Sequence, residues 1–264
     1  MPGFFIFGRF MEISYKDRGL NYGDGFFTTI KIESGQPQLW QYHLARLRQC
    51  QQVLCFPELD EQAITNACLE AAKGCGLGVI KVLITRGVGG RGYGLPEHPE
   101  PKIIITQSDF PAHYFKWQEQ GVCLSVSDIK LGHQPLFAGL KTLNRLEQVL
   151  IKAQASQQVA DDVLVLDIDD NVIECSASNL IIVKNNQLFT PSLKLCGIKG
   201  VYLSLLSDHT QIKSKSLCLH DVLEADAVFM CNSLMGLVPV KSLDKQVFNL
   251  QTALDLKSKI EATL

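Results

Sequence analysis

Lys141 is the residue of this sequence whose surroundings point most directly to chemistry. It stands between a loop that contains Pro135 and Gly139 and a run of apolar residues at helical spacing. Those residues are Leu143, Leu146, Leu150 and Ala153. A lysine held at the start of a helix by such a stripe can condense with a carbonyl cofactor, as in Schiff-base catalysis. The alternative is a solvated lysine, since lysine is rarely buried without a partner, and spacing alone leaves both open.

Three further features have the chemistry of phosphate contacts. Arg46 lies on a predicted helix, and its planar guanidinium suits a phosphate, although a solvated surface arginine would look the same. Gly197-Ile198-Lys199-Gly200 precedes another predicted helix, where backbone N–H groups can cradle an anion, although many helices begin in this way. Asn232-Ser233 follows a predicted strand and can donate to the same anion or form an ordinary turn.

Glu174 closes a predicted apolar strand. A carboxylate in that place can keep a pyridinium nitrogen protonated, which makes the ring an electron sink. Alternatively it is an edge carboxylate that faces water. A lysine, a carboxylate and several phosphate contacts are what a pyridoxal 5′-phosphate site needs, but spacing by itself does not establish such a site.

The long irregular loop from Arg86 to Pro96 is a candidate for substrate binding, because loops of this length without their own structure are usually functional or disordered. Its glycines resemble in part a dinucleotide-binding fingerprint. The loop leads into Tyr93-Gly-Leu-Pro96 instead of a helix, which excludes that interpretation. Its arginines, Arg86 and Arg91, are placed to meet a carboxylate-bearing substrate. The six histidines have no metal-ligand spacing, so no metal site is predicted.

Composition is that of an ordinary globular protein of 264 residues, with 46% hydrophobic and 20% charged residues. A net charge of −2 gives no basic field for nucleic acid. The nine cysteines are scattered and never spaced as Cys-x-x-Cys, so they predict neither a disulfide framework nor a zinc site. No apolar run approaches the roughly 20 residues of a membrane span, and the start lacks the features of a signal peptide. We therefore expect a cytoplasmic, soluble protein.

Helices and strands mix without a strict βαβ alternation, which predicts the α+β class. The periodicities predict helices at 41–55, 60–73 and 200–208, and strands at 26–32, 79–85, 102–106, 122–126, 163–168, 172–174, 180–184, 187–190 and 225–230. Residues 3–14 predict two short strands around Gly8-Arg9, and 18–25 predict a glycine-rich turn. A turn at Glu33-Ser34-Gly35 closes the predicted strand at 26–32, and the strands at 180–184 and 187–190 are expected to form a hairpin across Asn185-Asn186. We expect a small N-terminal domain at 1–108, a linker at 109–116 and a larger C-terminal domain at 117–264.

A set of motifs runs in order over essentially the whole chain: Arg18-Gly-x-x-Tyr-Gly-Asp-Gly25, His43-Leu-x-Arg46-Leu, Lys141, Glu174-x-x-x-Ser-Asn179 and Gly197-Ile-Lys. In these motifs the sequence resembles the fold-type IV family of pyridoxal-phosphate enzymes, which includes branched-chain and D-amino-acid aminotransferases. Four longer stretches resemble its branch of lyases that act on 4-amino-4-deoxychorismate. They are Gly23-Asp-Gly-Phe-Phe-Thr-Thr29, Thr85-Arg-Gly-Val-Gly-Gly-Arg-Gly-Tyr93, Pro111-Ala-His-Tyr114 and Gly139-Leu-Lys-Thr-Leu-Asn-Arg-Leu-Glu-Gln-Val149.

The resemblance implies pyridoxal 5′-phosphate in a cleft between a small N-terminal and a larger C-terminal domain, in a homodimer. It implies these cofactor contacts: Lys141 as the covalent anchor, Glu174 on the ring nitrogen, and Arg46, the backbone of Ile198 and Lys199, and the side chains of Asn232 and Ser233 on the phosphate. The implied reaction converts 4-amino-4-deoxychorismate to 4-aminobenzoate and pyruvate. Thr28 or Thr29 would assist proton transfer, and Arg91, Arg86 and Tyr93 would bind the substrate.

An aminotransferase on the same fold is the alternative activity. A D-amino-acid aminotransferase similar to this family would tend to carry Tyr-Glu where this chain has Phe27-Thr28, which argues against it. A cofactor-binding protein without turnover is a third hypothesis, and the complete set of Lys141, Glu174 and Arg46 argues against that one. Gly236 is a departure, since it places a flexible glycine in a loop where the resemblance leads us to expect proline.

Overall fold

The structure, a computed structural model, describes residues 4–5, 13–157 and 159–264. These residues divide into two compact units. The first comprises the described residues up to Phe110 together with Leu140–Asn144, and the second comprises Pro111–Gly139 and Arg145–Leu264. Both units combine helices with a sheet, so the α+β class predicted from the sequence is confirmed.

The first unit is a sheet covered on one face by helices. Its strands are β1 (Phe4–Phe5), β2 (Gly25–Glu33), β3 (Gln36–Pro37), β4 (Leu77–Thr85) and β5 (Lys102–Ser108). Its helices are α1 (Arg18–Tyr22), α2 (Trp40–Val53) and α3 (Glu61–Ala72). The strand order among the described residues is β1-β5-β4-β2-β3. Period-two alternation along β2 places Phe26, Thr28, Ile30 and Ile32 on the buried face, where the three apolar side chains join a core with residues of α2 and α3.

Local turn chemistry explains how the first unit begins. The glycine-rich stretch at 18–25, predicted as a turn, contains α1 instead. The Asp17 carboxylate accepts a hydrogen bond from the Gly19 N–H at 2.7 Å and so caps the helix, which ends at Gly23 with φ 65°. The turn predicted after β2 is confirmed: Ser34 and Gly35 both have positive φ, as tight hairpins require.

The second unit is built on a sheet that closes on itself. Its strands are β6 (Val122–Val126), β7 (Asp162–Leu166), β8 (Val172–Cys175), β9 (Asn179–Lys184), β10 (Gln187–Pro191), β11 (Ile212–Lys215), β12 (Ala227–Asn232), β13 (Gly236–Leu243) and β14 (Gln246–Val247). Its helices are α4 (His113–Gln120), α5 (Leu146–Ala155), α6 (Val201–His209), α7 (Leu219–Leu223) and α8 (Leu250–Glu261). The order is β11-β10-β9-β12-β13-β6-β7-β8, and β8 pairs back onto β9 at Glu174 and Asn179. The strands from β9 to β8 therefore form a ring.

The elements of the second unit agree only in part with those predicted from the sequence. The hairpin across Asn185-Asn186 is confirmed, and both asparagines have positive φ. The prediction that a helix begins at Lys141 is wrong, because α5 begins at Leu146. The buried residues of α5 are Ile151 and Ala155. Leu146 and Leu150 of the predicted apolar stripe are instead 71% and 51% exposed. The sequence did not predict β11, β13, β14, α4, α7 or α8.

Two further predictions concern chain segments. Residues 113–116 of the predicted linker are the first turn of α4, and the domain boundaries themselves stay a prediction. Of the two strands predicted at 3–14, Phe4–Phe5 is strand β1, 13–14 are not strand, and the rest lies outside the described residues. No helix in the described part of the chain is long and apolar enough to cross a membrane.

Candidate active site

Lys141 lies on a short extended segment that pairs with β2. The Phe27 N–H donates to the Lys141 carbonyl at 3.0 Å, and the Leu143 N–H donates to the Gly25 carbonyl at 2.9 Å. Thr142 forms an antiparallel bridge with Phe26 between these two bonds. Leu140 and Thr142 are buried, and the ammonium of Lys141 lies 4.7 Å from the centre of the Phe27 ring. Strand pairing therefore sets the direction of the lysine side chain.

Two glycines and Asn144 allow this segment to lie against β2. A Cβ on Gly25 would stand 2.3 Å from the Ile84 carbonyl oxygen and 2.7 Å from Leu143. A Cβ on Gly23 would stand 2.4 Å from the Asn144 side chain, whose amide donates to the Gly23 carbonyl at 3.1 Å. Asn144, which the sequence left unexplained, thus fastens the end of the lysine segment.

Thr28 and Thr29, both predicted to assist proton transfer, face opposite sides of β2. Thr29 follows Phe27 by two residues and shares its half-buried face, the face toward which Lys141 points, whereas Thr28 is completely buried in the core. Lys81 is paired with Thr29 across β2 and β4, and its ammonium lies 4.6 Å from the Phe27 ring. The open face of the sheet thus carries two lysines around one aromatic ring.

Thr28 belongs to a buried polar group with two residues of α2. Its hydroxyl lies 2.6 Å from Nδ1 of His43, and Arg46 donates to the same hydroxyl at 3.5 Å. Burial, and secondly the charge of Arg46, lowers the pKa of His43 to about 3, so the imidazole is neutral. Burial also lowers the pKa of Arg46 to about 10, so the guanidinium stays charged at neutral pH. Arg46 is therefore a largely desolvated cation, which is the state that suits a phosphate contact.

The candidate substrate residues of the long loop are placed differently from one another. Arg86 is buried, with Nε donating to Asp24 at 2.8 Å and its other nitrogens donating to the carbonyls of Cys55 and Leu54. Those bonds give Arg86 a structural role, and its predicted substrate contact finds no support in this geometry. Arg91 is exposed, and Tyr93 is 85% exposed. Substrate binding by these three residues stays a prediction.

Glu174 is buried where the ring of strands closes. One carboxylate oxygen accepts the backbone N–H of Ile198 at 2.8 Å. Gly197 has φ 84°, and a Cβ there would meet Ile173 at 2.6 Å, so this approach of the loop to β8 requires glycine. The carboxylate is held in one orientation by the loop that was predicted to bind phosphate.

The backbone amides of that loop already have acceptors. The Ile198 N–H donates to Glu174, and the Lys199 N–H donates to the Gly139 carbonyl at 3.0 Å. Asn179 fixes the same loop, since its amide donates to the Ile198 carbonyl at 2.7 Å and its oxygen accepts the Gly200 N–H at 2.8 Å. A phosphate contact through Ile198 and Lys199 would have to share or replace these bonds, and it stays a prediction.

Asn232 builds the hairpin between β12 and β13. Its side-chain oxygen accepts the N–H groups of Leu234 and Met235 at 2.9 and 3.0 Å, and its amide donates to the Ala177 carbonyl at 3.2 Å. Ser233 lies in the turn that Asn232 holds. Gly236 starts β13 with φ 65°, which proline, fixed near −65°, could not adopt. The flexible loop predicted around Gly236 is therefore a bonded hairpin turn, and the phosphate role of Asn232 and Ser233 stays a prediction.

Three possible metal ligands meet in the second unit although the sequence showed no ligand spacing. The ligand atoms of His133, Asp167 and Cys196 all lie within 4.8 Å of one another. His133 is 2.9 Å from an Asp167 oxygen, and the Asp167 carboxylate also accepts from the Asn171 side chain and two backbone N–H groups. Burial, with the nearby Asp167 carboxylate, raises the pKa of Cys196 to about 12, which keeps the thiol protonated. We interpret the cluster as a hydrogen-bonded loop support.

Sequence reasoning missed Lys81 and the role of His43. Lys81 interrupts the apolar strand β4, and a lone charge inside such a strand was a signal that could have marked it. His43 stood in a quoted motif but was assigned nothing. Its partnership with Thr28 depends on packing α2 on β2, which spacing does not reveal.

The chain is similar to known proteins over most of its length. The family pattern described as amino-transferase class IV matches residues 25–243. An aminodeoxychorismate lyase of Vibrio harveyi is 40% identical over 232 residues, which cover 86% of this chain and 86% of the relative.

Solved structures give the same picture. The crystal structure of 4-amino-4-deoxychorismate lyase from Pseudomonas aeruginosa matches with a TM-score of 0.90 and 38% sequence identity. The match covers 97% of this chain and 95% of the Pseudomonas chain. A hypothetical aminotransferase from Mycobacterium tuberculosis in its PLP-bound form has a TM-score of 0.80 at 21% identity, with 95% and 93% covered, and that likeness shows the fold alone.

Proposed function

The chain belongs to the amino-transferase class IV family, and on that premise we propose that it is a pyridoxal-phosphate-dependent lyase. Its substrate is 4-amino-4-deoxychorismate, and its products are 4-aminobenzoate and pyruvate. The similarity to two lyases of that name, at 40% and 38% identity, supports the substrate. The structural observation that carries the proposal is the presentation of Lys141 by strand pairing on the face of β2 that also bears Phe27 and Thr29.

Each unit by itself carries donor groups whose chemistry suits pyridoxal 5′-phosphate. The first unit offers an ammonium on an open sheet face and a desolvated guanidinium, and the second offers a buried, oriented carboxylate. We assign to the cofactor Lys141, Arg46, Glu174, Ile198, Lys199, Asn232 and Ser233. When bound, this cofactor supplies an electrophilic carbonyl carbon and a ring that accepts electrons. The assignments of these residues rest on the family resemblance and on the chemistry of the side chains.

Lys141 and Thr29 are the groups we assign to proton transfer. Nζ of Lys141 is the group that would remove the proton from the amine-bearing carbon of the substrate. The electron pair left behind expels the enolpyruvyl oxygen from the neighbouring carbon, so the C–O bond breaks and the ring becomes aromatic. The leaving group takes up one proton and becomes pyruvate, which balances the reaction without water or an oxidant. Of the two threonines, Thr29 is favoured because it shares the face of Phe27 and Lys141.

Substrate recognition requires cations or hydrogen-bond donors for the carboxylates of 4-amino-4-deoxychorismate. Arg91 and Tyr93 of the exposed loop remain our proposal for this role. Lys81 is added because its ammonium lies beside the Phe27 ring on the face of Thr29. Arg86 is better explained by its buried bonds to Asp24, Leu54 and Cys55.

Product analysis with 4-amino-4-deoxychorismate tests the function directly. We expect equimolar 4-aminobenzoate and pyruvate by chromatography. A parallel reaction with D-alanine or a branched-chain amino acid and 2-oxoglutarate measures the alternative aminotransferase activity. Transamination that outpaces release of 4-aminobenzoate would refute the lyase assignment.

We further infer that the protein is a homodimer. The outward face of α5 exposes Leu146, Val149 and Leu150, and the preceding loop exposes Leu136, so the second unit carries an apolar surface that a second copy would cover. Light scattering after gel filtration should give twice the 29.3 kDa chain mass, and Val149→Glu should shift it toward the monomer. A wild-type monomer at micromolar concentration would contradict this. A cytoplasmic location stays a prediction that cell fractionation can test.

A further inference from the structure

Arg18 holds the backbone of the exposed loop that carries Arg91 and Tyr93. One terminal nitrogen of its guanidinium donates to the carbonyls of Gly94 at 3.0 Å and Gly92 at 3.3 Å, and the other donates to the Tyr93 carbonyl at 3.2 Å. Arg18 is only 4% exposed, so its charge interacts with groups inside the protein and not with solvent. Three consecutive carbonyls on one planar group give the loop a defined shape, because the donors of a guanidinium have fixed directions.

The same short stretch fixes the beginning of the loop. The Arg18 N–H donates to the Gly87 carbonyl at 2.9 Å, and the Gly89 N–H donates to the Lys16 carbonyl at 3.3 Å. A Cβ on Gly89 would stand 2.6 Å from Cδ of Arg18, so the loop backbone runs directly along the arginine side chain. Both halves of the loop are therefore tied to the stretch around Arg18.

Asp24 fixes the guanidinium itself. Its carboxylate accepts Nε of Arg18 at 2.7 Å, and the same oxygen accepts Nε of Arg86 at 2.8 Å. Burial alone would raise the pKa of Asp24, but the hydrogen bonds from Arg86 and Arg18 outweigh it and the pKa is lowered. The carboxylate is therefore ionised at neutral pH and orients Arg18 through Nε, which leaves the terminal nitrogens for the loop.

While the loop carbonyls point inward, its long side chains point outward. Tyr93 is 85% exposed, and its ring meets Tyr22 edge-on at 5.4 Å, while the Arg18 guanidinium lies 5.0 Å from the same Tyr22 ring. We propose that Arg18 is a positioning residue that shapes this loop and thereby presents Arg91 and Tyr93 to the substrate. The presentation rests on the proposed function, whereas the shaping of the loop stands on the contacts alone.

Limited trypsin digestion of the cofactor-loaded protein measures the loop directly, because Arg91 is itself a cleavage site. Arg18→Lys keeps the charge near Asp24, but the three N–H donors of an ammonium cannot serve both Asp24 and three carbonyls, so we expect cleavage after Arg91 to be at least about tenfold faster. Cleavage after Lys245, in an exposed turn of the second unit, is the internal control and should not change. Arg18→Gln is the substitute if the lysine variant fails to retain cofactor. Wild-type cleavage after Arg91 in the variant overturns the proposal.

A double-mutant cycle tests whether Arg18 acts through the loop side chains. Arg18→Lys should raise KM for 4-amino-4-deoxychorismate about tenfold and leave the cofactor dissociation constant unchanged. In an Arg91→Ala/Tyr93→Ala background the same substitution should change KM by less than about twofold, because the presented groups are gone. Fully additive effects on KM would overturn the positioning role. If no 4-aminobenzoate forms at all, the proposed function fails, and the digestion still decides whether Arg18 holds the loop.

Discussion

The two units hold their candidate functional groups in contrasting ways. In the first, the groups are cations: Lys141 and Lys81 lie beside the Phe27 ring, and Arg46 lies beside the Thr28 hydroxyl. In the second, Glu174 and Asn232 bond to the backbone of neighbouring turns and hold their shape. The contrast teaches that these side-chain cations all belong to the first unit, on β4, on α2 and on the segment that pairs with β2. The candidate groups of the second unit are held by hydrogen bonds to the backbone of that unit.

The largest test of this contrast is Lys141→Ala. The backbone bonds of residue 141 do not need the side chain, so the fold should survive. We expect the rate of 4-aminobenzoate formation to fall on the order of 10³-fold or more. Borohydride should no longer attach the cofactor to the protein, as peptide mapping will show. Lys81→Ala is the matched control and should still be labelled at Lys141. Labelling at another lysine in the wild type would contradict the assignment.

Arg46→Met tests the second cation of the first unit. The methionine fills much of the space but removes the charge, so we expect the dissociation constant of pyridoxal 5′-phosphate to rise about 100-fold. Arg48→Met is the control on the same helix, because Arg48 is exposed and ion-paired with Glu61. Fluorescence titration measures both variants. Equal affinities in the two would remove Arg46 from the phosphate site.

Glu174→Gln asks whether the second unit contributes charge as well as shape. The glutamine oxygen can still accept the Ile198 N–H, so the loop should keep its conformation. If the carboxylate serves the ring nitrogen, kcat should fall about ten- to 100-fold with cofactor still bound. Glu147→Gln, another glutamate that accepts a backbone N–H, should leave kcat unchanged. An unaltered kcat in Glu174→Gln would mean that this residue only shapes the loop.

A smaller effect should separate the two threonines of β2. Thr29→Val is expected to lower kcat about tenfold, since the variant removes a hydroxyl from the face of Lys141. Thr28→Val should instead weaken cofactor binding, because Thr28 contacts Arg46 and His43 in the core. Steady-state kinetics and cofactor titration on both variants measure the split. The reverse pattern would show that the two faces of the strand have been assigned the wrong way round.

The smallest expected effect is that of His43 protonation on stability at acidic pH. An unfolded chain protonates this histidine below its ordinary pKa of 6.5, whereas the folded protein does so only near 3. The free energy of unfolding therefore decreases as the pH falls below 6.5, by about 1.4 kcal/mol per pH unit between pH 6.5 and about 3. Urea unfolding of the cofactor-loaded protein between pH 5 and 7 measures how the free energy of unfolding depends on pH. In His43→Gln this dependence should be weaker by about that amount below pH 6.5. Parallel slopes would mean that His43 titrates normally in the folded state.

Short-range rules predicted much of the fold. The turns at Ser34-Gly35 and Asn185-Asn186 were readable because small or amide residues tolerate positive φ. The helices α2 and α3 were readable from the periodicity of their apolar residues, and in the structure Asp60 caps α3 through the Ala63 N–H. In these cases the backbone conformation of each residue is set by neighbours within one turn of the chain.

Predictions failed where distant segments decide the structure. Lys141 was expected at a helix start because leucines follow it at helical spacing, but its conformation is set by β2, more than a hundred positions earlier. The leucines misled because Leu146 and Leu150 point outward, toward the surface that we propose a second copy covers. Asn144 had no readable role for the same reason, since its partner is the Gly23 carbonyl. The identity of the candidate site residues came from the family resemblance, because spacing along the chain does not show which distant segments meet.

The pairing of Leu140–Asn144 with β2 means that the two units are not separable by a single cut. A gene divided between Phe110 and Pro111 would encode a first fragment that lacks Lys141, because the segment Leu140–Asn144 is encoded with the other fragment. Activity from such a split gene would require the fragments to complement each other in one cell. A circular permutant, by contrast, could keep 139–145 unbroken and retain the strand.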